Sequence, residues 1–173
     1  MEETQRIPLP NLEGYNCFAC GSANPIGLHM HFFLEGDKVV SDLVLDQNLA
    51  GWENLVHGGI ISTLMDEIVG WTVITLKRKF FVTRSLNIRY LRPIPVGSKV
   101  RVQGKFRSES ENGRATIDAL LLGPDGRKSA TGKAEVAFLS EKRIKEIPQS
   151  HQKDMNWLFE QLEIAFNKSA LSE

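Results

Sequence analysis

The period of apolar and polar positions changes several times along this chain, and the changes divide it into elements. Residues 28–34 (LHMHFFL) and 38–45 (KVVSDLVL) read as two strands joined by the tight turn Glu35-Gly36-Asp37. A loop from Gln47 to Val56 follows, carrying Gly51 and Trp52, and an apolar run from Gly58 to Leu76 predicts a long helix. Four more strands are expected at 82–91, 97–108, 113–122 and 128–139, separated by Arg92-Pro93-Ile94-Pro95, Glu111-Asn112-Gly113 and Gly123-Pro124-Asp125-Gly126. Val100, Val102 and Phe106 share one face of their strand, as do Ile117, Ala119 and Leu121 of theirs. That period of two suits an antiparallel sheet covered on one side. Within 151–167, Met155, Leu158, Leu162 and Ala165 or Phe166 recur at helical spacing. The order predicts an α+β fold: one antiparallel sheet wrapped around a central helix, with an extra C-terminal helix.

The central helix carries the most information. Ile60, Ile61, Leu64, Met65, Ile68, Val69 and Trp71 fill about half of its circumference, and Ser62, Thr63, Asp66, Glu67 and Gly70 fill the rest. Its only charges before Lys77 are Asp66 and Glu67, with no Lys or Arg to make an ordinary wetted face. Such a helix is expected to be buried nearly all round. Carboxylates on it then need a partner or a task, because burying an unpaired charge is costly.

Composition bounds the remaining possibilities. The chain has 173 residues, 42% apolar and 24% charged, which fits one globular domain. Its 21 basic and 21 acidic residues cancel, so no global electrostatic case for nucleic acid exists. No secretory pattern opens the chain and no run reaches the roughly 18 consecutive apolar residues of a membrane helix. The expectation is a cytoplasmic protein with no membrane partner. Residues 1–16 read as an N-terminal arm, 17–140 as the main domain and 141–173 as a helical extension.

Candidate chemistry gathers at the start of the central helix. His57-Gly58-Gly59 places two glycines where a helix N-terminus presents unpaired N–H groups and partial positive charge. A ligand atom can approach such a backbone closely, the geometry of an oxyanion hole; a plain glycine-rich helix entry has the same pattern. Asp66 follows His57 by nine residues, roughly 13 Å along the axis and on the opposite side. The Gly58 amide and the Asp66 carboxylate of one helix therefore cannot serve one carbonyl carbon. If both are catalytic they come from two subunits, across a two-fold interface. A structural carboxylate is the other reading of Asp66, and Glu67 competes with it locally for the catalytic role.

Two weaker signals remain. Cys17-x-x-Cys20 followed by His29 and His31 has the residue types of a zinc site, but two histidines alternating on a strand would point to opposite faces. The pair is expected to be a tight loop of two small buried thiols, without metal. Arg84, Arg89, Arg92 and Arg101 form a basic stretch; each suits a phosphate or an ordinary solvated strand face equally well.

The runs HGGIISTLMDE, Gly51-Trp52-Glu53-Asn54 before it and TRSLNIRYLRPIPVGSKV after it resemble the hotdog-fold acyl-CoA thioesterases of the phenylacetate-pathway type. The opening CFACGSANPIGLHMHF resembles the start of many bacterial members, and the likeness covers about residues 15–140. The resemblance implies a hotdog fold, a homodimer or dimer of dimers with two central helices side by side, and hydrolysis of an acyl-CoA thioester without a cofactor. It implies the Gly58 amide as oxyanion donor and Asp66 as general base or nucleophile. It also implies Thr83 as a holder of the attacking water, and His57 as the residue that orders the loop or polarises the thioester. Several relatives carry an Asn before the motif, at a position that falls near Gly51 here; the nearest Asn is Asn54. Gly59, Asn54, Glu67, Arg89 and Arg92 complete the expected substrate-binding set. A non-catalytic acyl-CoA binder and an acyl-thioester dehydratase or hydratase are the competing readings; the chain lacks the His-Phe-Pro motif of the dehydratases.

Overall fold

A computed structural model describes residues 5–170. Its elements are β1 (Arg6–Pro8), β2 (Phe33–Glu35), β3 (Lys38–Leu45), β4 (Ala50–Trp52), β5 (Leu55–Val56), α1 (Gly58–Lys77), β6 (Phe81–Tyr90), β7 (Ser98–Glu109), β8 (Arg114–Leu122), β9 (Lys128–Phe138), α2 (Glu141–Ile144) and α3 (Gln149–Ala170). Seven strands form one antiparallel sheet in the order β1-β2-β3-β7-β8-β9-β6, and β4 with β5 makes a separate small hairpin.

The long strands form where the sequence alternates. In β8, Ala115, Ile117, Ala119 and Leu121 are buried while the residues between them are only partly so. In β7, Val100 and Val102 point the same way, and Gly104 continues the row. A Cβ at Gly104 would run into the Thr72 hydroxyl and stand 2.9 Å from the Ile68 carbonyl oxygen. The glycine is what lets α1 lie this close to the sheet. Leu64, Met65, Ile68, Val69 and Val73 of α1 are fully buried against that face. By length and mean hydropathy α1 could cross a bilayer, but half of that stretch is enclosed by the fold. The sheet does not close around it: Gly58, Gly59 and Asp66 stay exposed and Thr63 and Gly70 are half-buried. The expectation of a helix buried nearly all round is thus corrected within one protomer.

Two further differences have local causes. Of the strand expected at 28–34, only the end is a strand. His29 takes a positive φ of 47°, and the amides of Leu28 and Met30 donate to the carbonyls of Phe18 and Ala19. The segment therefore pairs with the cysteine loop instead of a neighbouring strand. The short β1, within the presumed arm, pairs with β2 and edges the sheet. At the other end of the chain, Met155, Leu158 and Leu162 of α3 are buried, and Phe159 meets Phe80 edge-on at 5.7 Å.

Candidate active site

His57 ends the β4–β5 hairpin and caps α1: its Nδ1 accepts from the Gly59 amide at 2.8 Å. A neutral ring then carries its proton on Nε2. The Gly59 amide is thereby used, whereas the Gly58 amide has no acceptor among the described residues. The oxyanion pattern thus resolves to one free N–H, at Gly58. Gly51 is a glycine for a reason of space. A Cβ there would stand 2.8 Å from His57 Cα and 2.9 Å from its ring Cδ2. No side chain has room at Gly51 beside this histidine. Asn54 contributes its backbone carbonyl to the Val96 amide at 2.8 Å, and its side chain is exposed.

Asp66 lies at the middle of α1, and Thr83 on β6 donates its hydroxyl to Asp66 Oδ1 at 3.2 Å. Strict alternation along β6 would have put Thr83 on the face of Ser85, Asn87 and Arg89. A bulge between Thr83 and Ser85 shifts the parity. Thr83 therefore pairs with Val136, Leu86 with Ala134 and Ile88 with Gly132, all in the row that faces α1. The bulge aims the hydroxyl at the carboxylate.

The two groups lie in different hollows of one protomer. Asp66 and Thr83 line a cleft of ≈ 280 Å³ whose walls include Ile74, Phe81, Met155 and Leu158. Gly58 lines another, of ≈ 340 Å³, with Tyr90, Arg92 and Pro93. Tyr90 was missed by sequence reasoning: its hydroxyl reaches Ser62 Oγ at 2.7 Å and the Gly58 carbonyl at 3.2 Å. Tyr90 lies beyond the bulge and shares the helix side with Leu86 and Ile88 by plain alternation, which is the signal that could have found it.

Glu67 and the arginines sit differently from the expected binding set. Glu67 turns away from the Thr83 side; Trp71 Nε1 donates to its Oε1 at 3.1 Å, and the Cys17 thiol lies 3.9 Å from its Oε2. Burial pushes the Glu67 carboxyl above its ordinary range, against the pull of Cys20, Trp71 and Cys17 hydrogen bonds. Glu67 is thus held by Trp71 and the cysteine loop, whereas Asp66 meets Thr83. Arg89 projects to the opposite face of the sheet, in a basic hollow with Lys105, Arg107 and Lys133. Arg92 stays near Gly58 and donates to the Lys128 carbonyl at 2.6 Å. Arg101, from the same basic stretch, is engaged by Asp42 and Glu35.

An antiparallel sheet wrapped around one long helix, with a glycine-rich helix entry and a mid-helix carboxylate, defines the hotdog class. Residues 53–110 match the family pattern of the thioesterase superfamily. The Escherichia coli PaaI protein of the phenylacetic acid degradation operon shares the fold with a TM-score of 0.59 at 14% identity, over 65% of this chain and 81% of that one. A hypothetical thioesterase from Streptococcus pneumoniae, solved with coenzyme A, gives 0.56 at 21% identity, over 60% and 80%. A Caenorhabditis elegans protein named "Putative esterase F42H10.6" is 29% identical over 103 residues, 59% of this chain; the match spans 61% of that relative's length. The chain thus shares the hotdog fold with these proteins and carries the thioesterase-superfamily pattern over residues 53–110.

Proposed function

We propose that this protein hydrolyses an acyl-CoA thioester to the free acid and CoA, at sites shared between two subunits. The observation that carries the reading is the contact between Thr83 and Asp66 on the wall of an apolar-sided cleft. With Oδ1 held by the threonine, Oδ2 takes a proton from a water as that water adds to the thioester carbon. The developing oxyanion rests on the free Gly58 amide at a helix N-terminus. His57 fixes that terminus by occupying the neighbouring amide. Attack on the carbon by Asp66 itself, through a mixed anhydride, uses the same groups.

Two features support a dimer as the working unit. Eight residues separate Gly58 from Asp66, about 12 Å of helix, too far for one thioester. The strip of α1 left open by the sheet runs along Gly59, Thr63, Asp66 and Gly70, and β6 is a free sheet edge beside it. A second copy laid antiparallel would bring its Gly58 towards this Asp66. Coenzyme A as the thiol is supported by the S. pneumoniae neighbour, whose structure holds that molecule.

The test is thiol release from a panel of acyl-CoAs by the wild-type protein and by Asp66→Asn. Turnover of at least one acyl-CoA, falling roughly 10²–10⁴-fold in the variant with the fold intact, is expected for loss of a general base. Binding of CoA esters without turnover, or a fully active Asp66→Asn, would overturn the reading.

A further inference from the structure

The hydrolytic reading leaves one cluster without a task. Cys17, Cys20 and Glu67 bring two sulfurs and a carboxylate oxygen within 4.8 Å of one another. The cysteine loop is built to do this. The Gly21 amide donates to the Cys17 carbonyl at 3.0 Å, turning the chain back on itself. A Cβ at Gly21 would collide with the Cys17 backbone and the Tyr15 carbonyl, so only glycine permits the turn. His29, with its positive φ, pins the loop through an Nδ1 contact of 2.9 Å to the Gly21 carbonyl. The loop is therefore held from three directions, with both sulfurs facing α1.

The three donors sit together in a largely buried place. Glu67 is a largely buried carboxylate whose partners among the described residues are Trp71 and the two thiols, with no Lys or Arg. Cys20 is buried, and its sulfur shares this place with Cys17 and Glu67. Three donors that a cation could take thus share one poorly solvated spot, where burial favours their neutral forms while no metal is bound.

We propose that Cys17, Cys20 and Glu67 form a binding site for a zinc-class divalent cation. Zinc takes two thiolates and a carboxylate at about 2.3 and 2.0–2.2 Å, which sets donor–donor separations of roughly 3.5–3.8 Å. The Cys17–Glu67 pair, at 3.9 Å, is already close to that spacing. Binding releases the protons of the two thiols and of the Glu67 carboxyl to solvent, and each of the two sulfurs and the Glu67 oxygen donates an electron pair to the metal. The fourth position opens on the cleft that Asp66 also lines and is filled by water. The site ties the cysteine loop to α1 one residue from Asp66. It departs from the expectation from sequence, a metal-free loop of two buried thiols, with His29 and His31 set aside as further ligands. His29 instead serves the loop, and the third donor comes from the helix.

The test uses the full chain, stripped of metal under reducing conditions and titrated with cobalt(II) alone, then competed with zinc(II). A thiolate-to-cobalt charge-transfer absorption saturating at one metal per chain, bleached by zinc, is the expected result. Cys17→Ser with Cys20→Ser should abolish the band, and Glu67→Gln should weaken cobalt affinity by about tenfold or more, the scale of one lost ligand interaction. The wild-type titration needs no variant to fold. No thiolate–cobalt band with both thiols chemically titratable would overturn the proposal. A cobalt affinity unchanged in folded Glu67→Gln would also overturn it. None of these readouts depends on whether the protein hydrolyses thioesters, so the two readings fail independently.

Discussion

The Thr83 hydroxyl reaches Asp66 Oδ1 at 3.2 Å because a β-bulge, two residues before the strand's next inward side chain, turns it towards the helix. The contact fixes one oxygen of the carboxylate and leaves the other for water. Thr83→Val keeps the branching and removes the hydroxyl. Turnover should fall about tenfold, the equivalent of ~1.4 kcal/mol in the transition state, with KM little changed. Steady-state kinetics beside a thermal melt check this; parental turnover would return Thr83 to a strand residue.

Gly51 and His57 should behave as a pair. Gly51→Ala places a methyl group against the histidine's Cα and ring, neither of which is the yielding end of a long side chain. His57 must move, and the bond from the Gly59 amide to Nδ1 is lost with it. Loss of a helix cap costs about 1 kcal/mol, and a protein this size loses roughly 2–4 °C of Tm for each kcal/mol. Calorimetry should show that drop together with reduced hydrolysis, since the Gly58 amide loses its alignment.

Arg6, Glu35, Asp42 and Arg101, from β1, β2, β3 and β7, form a pH-sensitive ion cluster. Arg101 donates to both oxygens of Asp42, at 2.8 and 2.9 Å, and to Glu35 at 3.0 Å, while Arg6 reaches Asp42 at 2.8 Å. Burial works against the Asp42 charge, but Arg101 and Arg6 hold its carboxyl below the ordinary range. A carboxyl lowered in the folded state stabilises it above the unfolded value near 3.9, and that stability is lost as pH falls through the folded value. Arg101→Met should therefore cost stability at pH 7, about 1 kcal/mol for partly exposed pairs, and progressively less below about pH 4. Denaturant melts across pH 3–7 measure it. A pH-independent difference would mean that Arg101 acts by packing.

The sequence made the large features legible because they depend on period. The central helix, the four long strands and the buried positions Met155, Leu158 and Leu162 all follow from spacing. What it hid was one residue out of phase or distant in the chain. The bulge in β6 inverts the face of Thr83, and no composition signal marks it. The positive φ of His29 breaks an alternating strand that reads well on paper. Glu67 looked like a rival to Asp66 because the two are adjacent. A 100° turn of helix sends one to Thr83 and the other to Cys17, contacts 17 and 50 residues away.

The claim at the centre is that one subunit's Gly58 serves the other's Asp66, and two inactive variants test it directly. Gly58→Pro removes only the amide hydrogen: proline suits the first helical position, and His57 before it has φ −61° and ψ 135°, a conformation that tolerates a following proline. Asp66→Asn removes the base. Each alone should be nearly inactive. Mixed one to one with verified subunit exchange, half the dimers are mixed and each of these has one intact site of two, so about one quarter of parental thioesterase activity should return. Two folded, exchanged variants that together show no more activity than either alone would contradict the shared site.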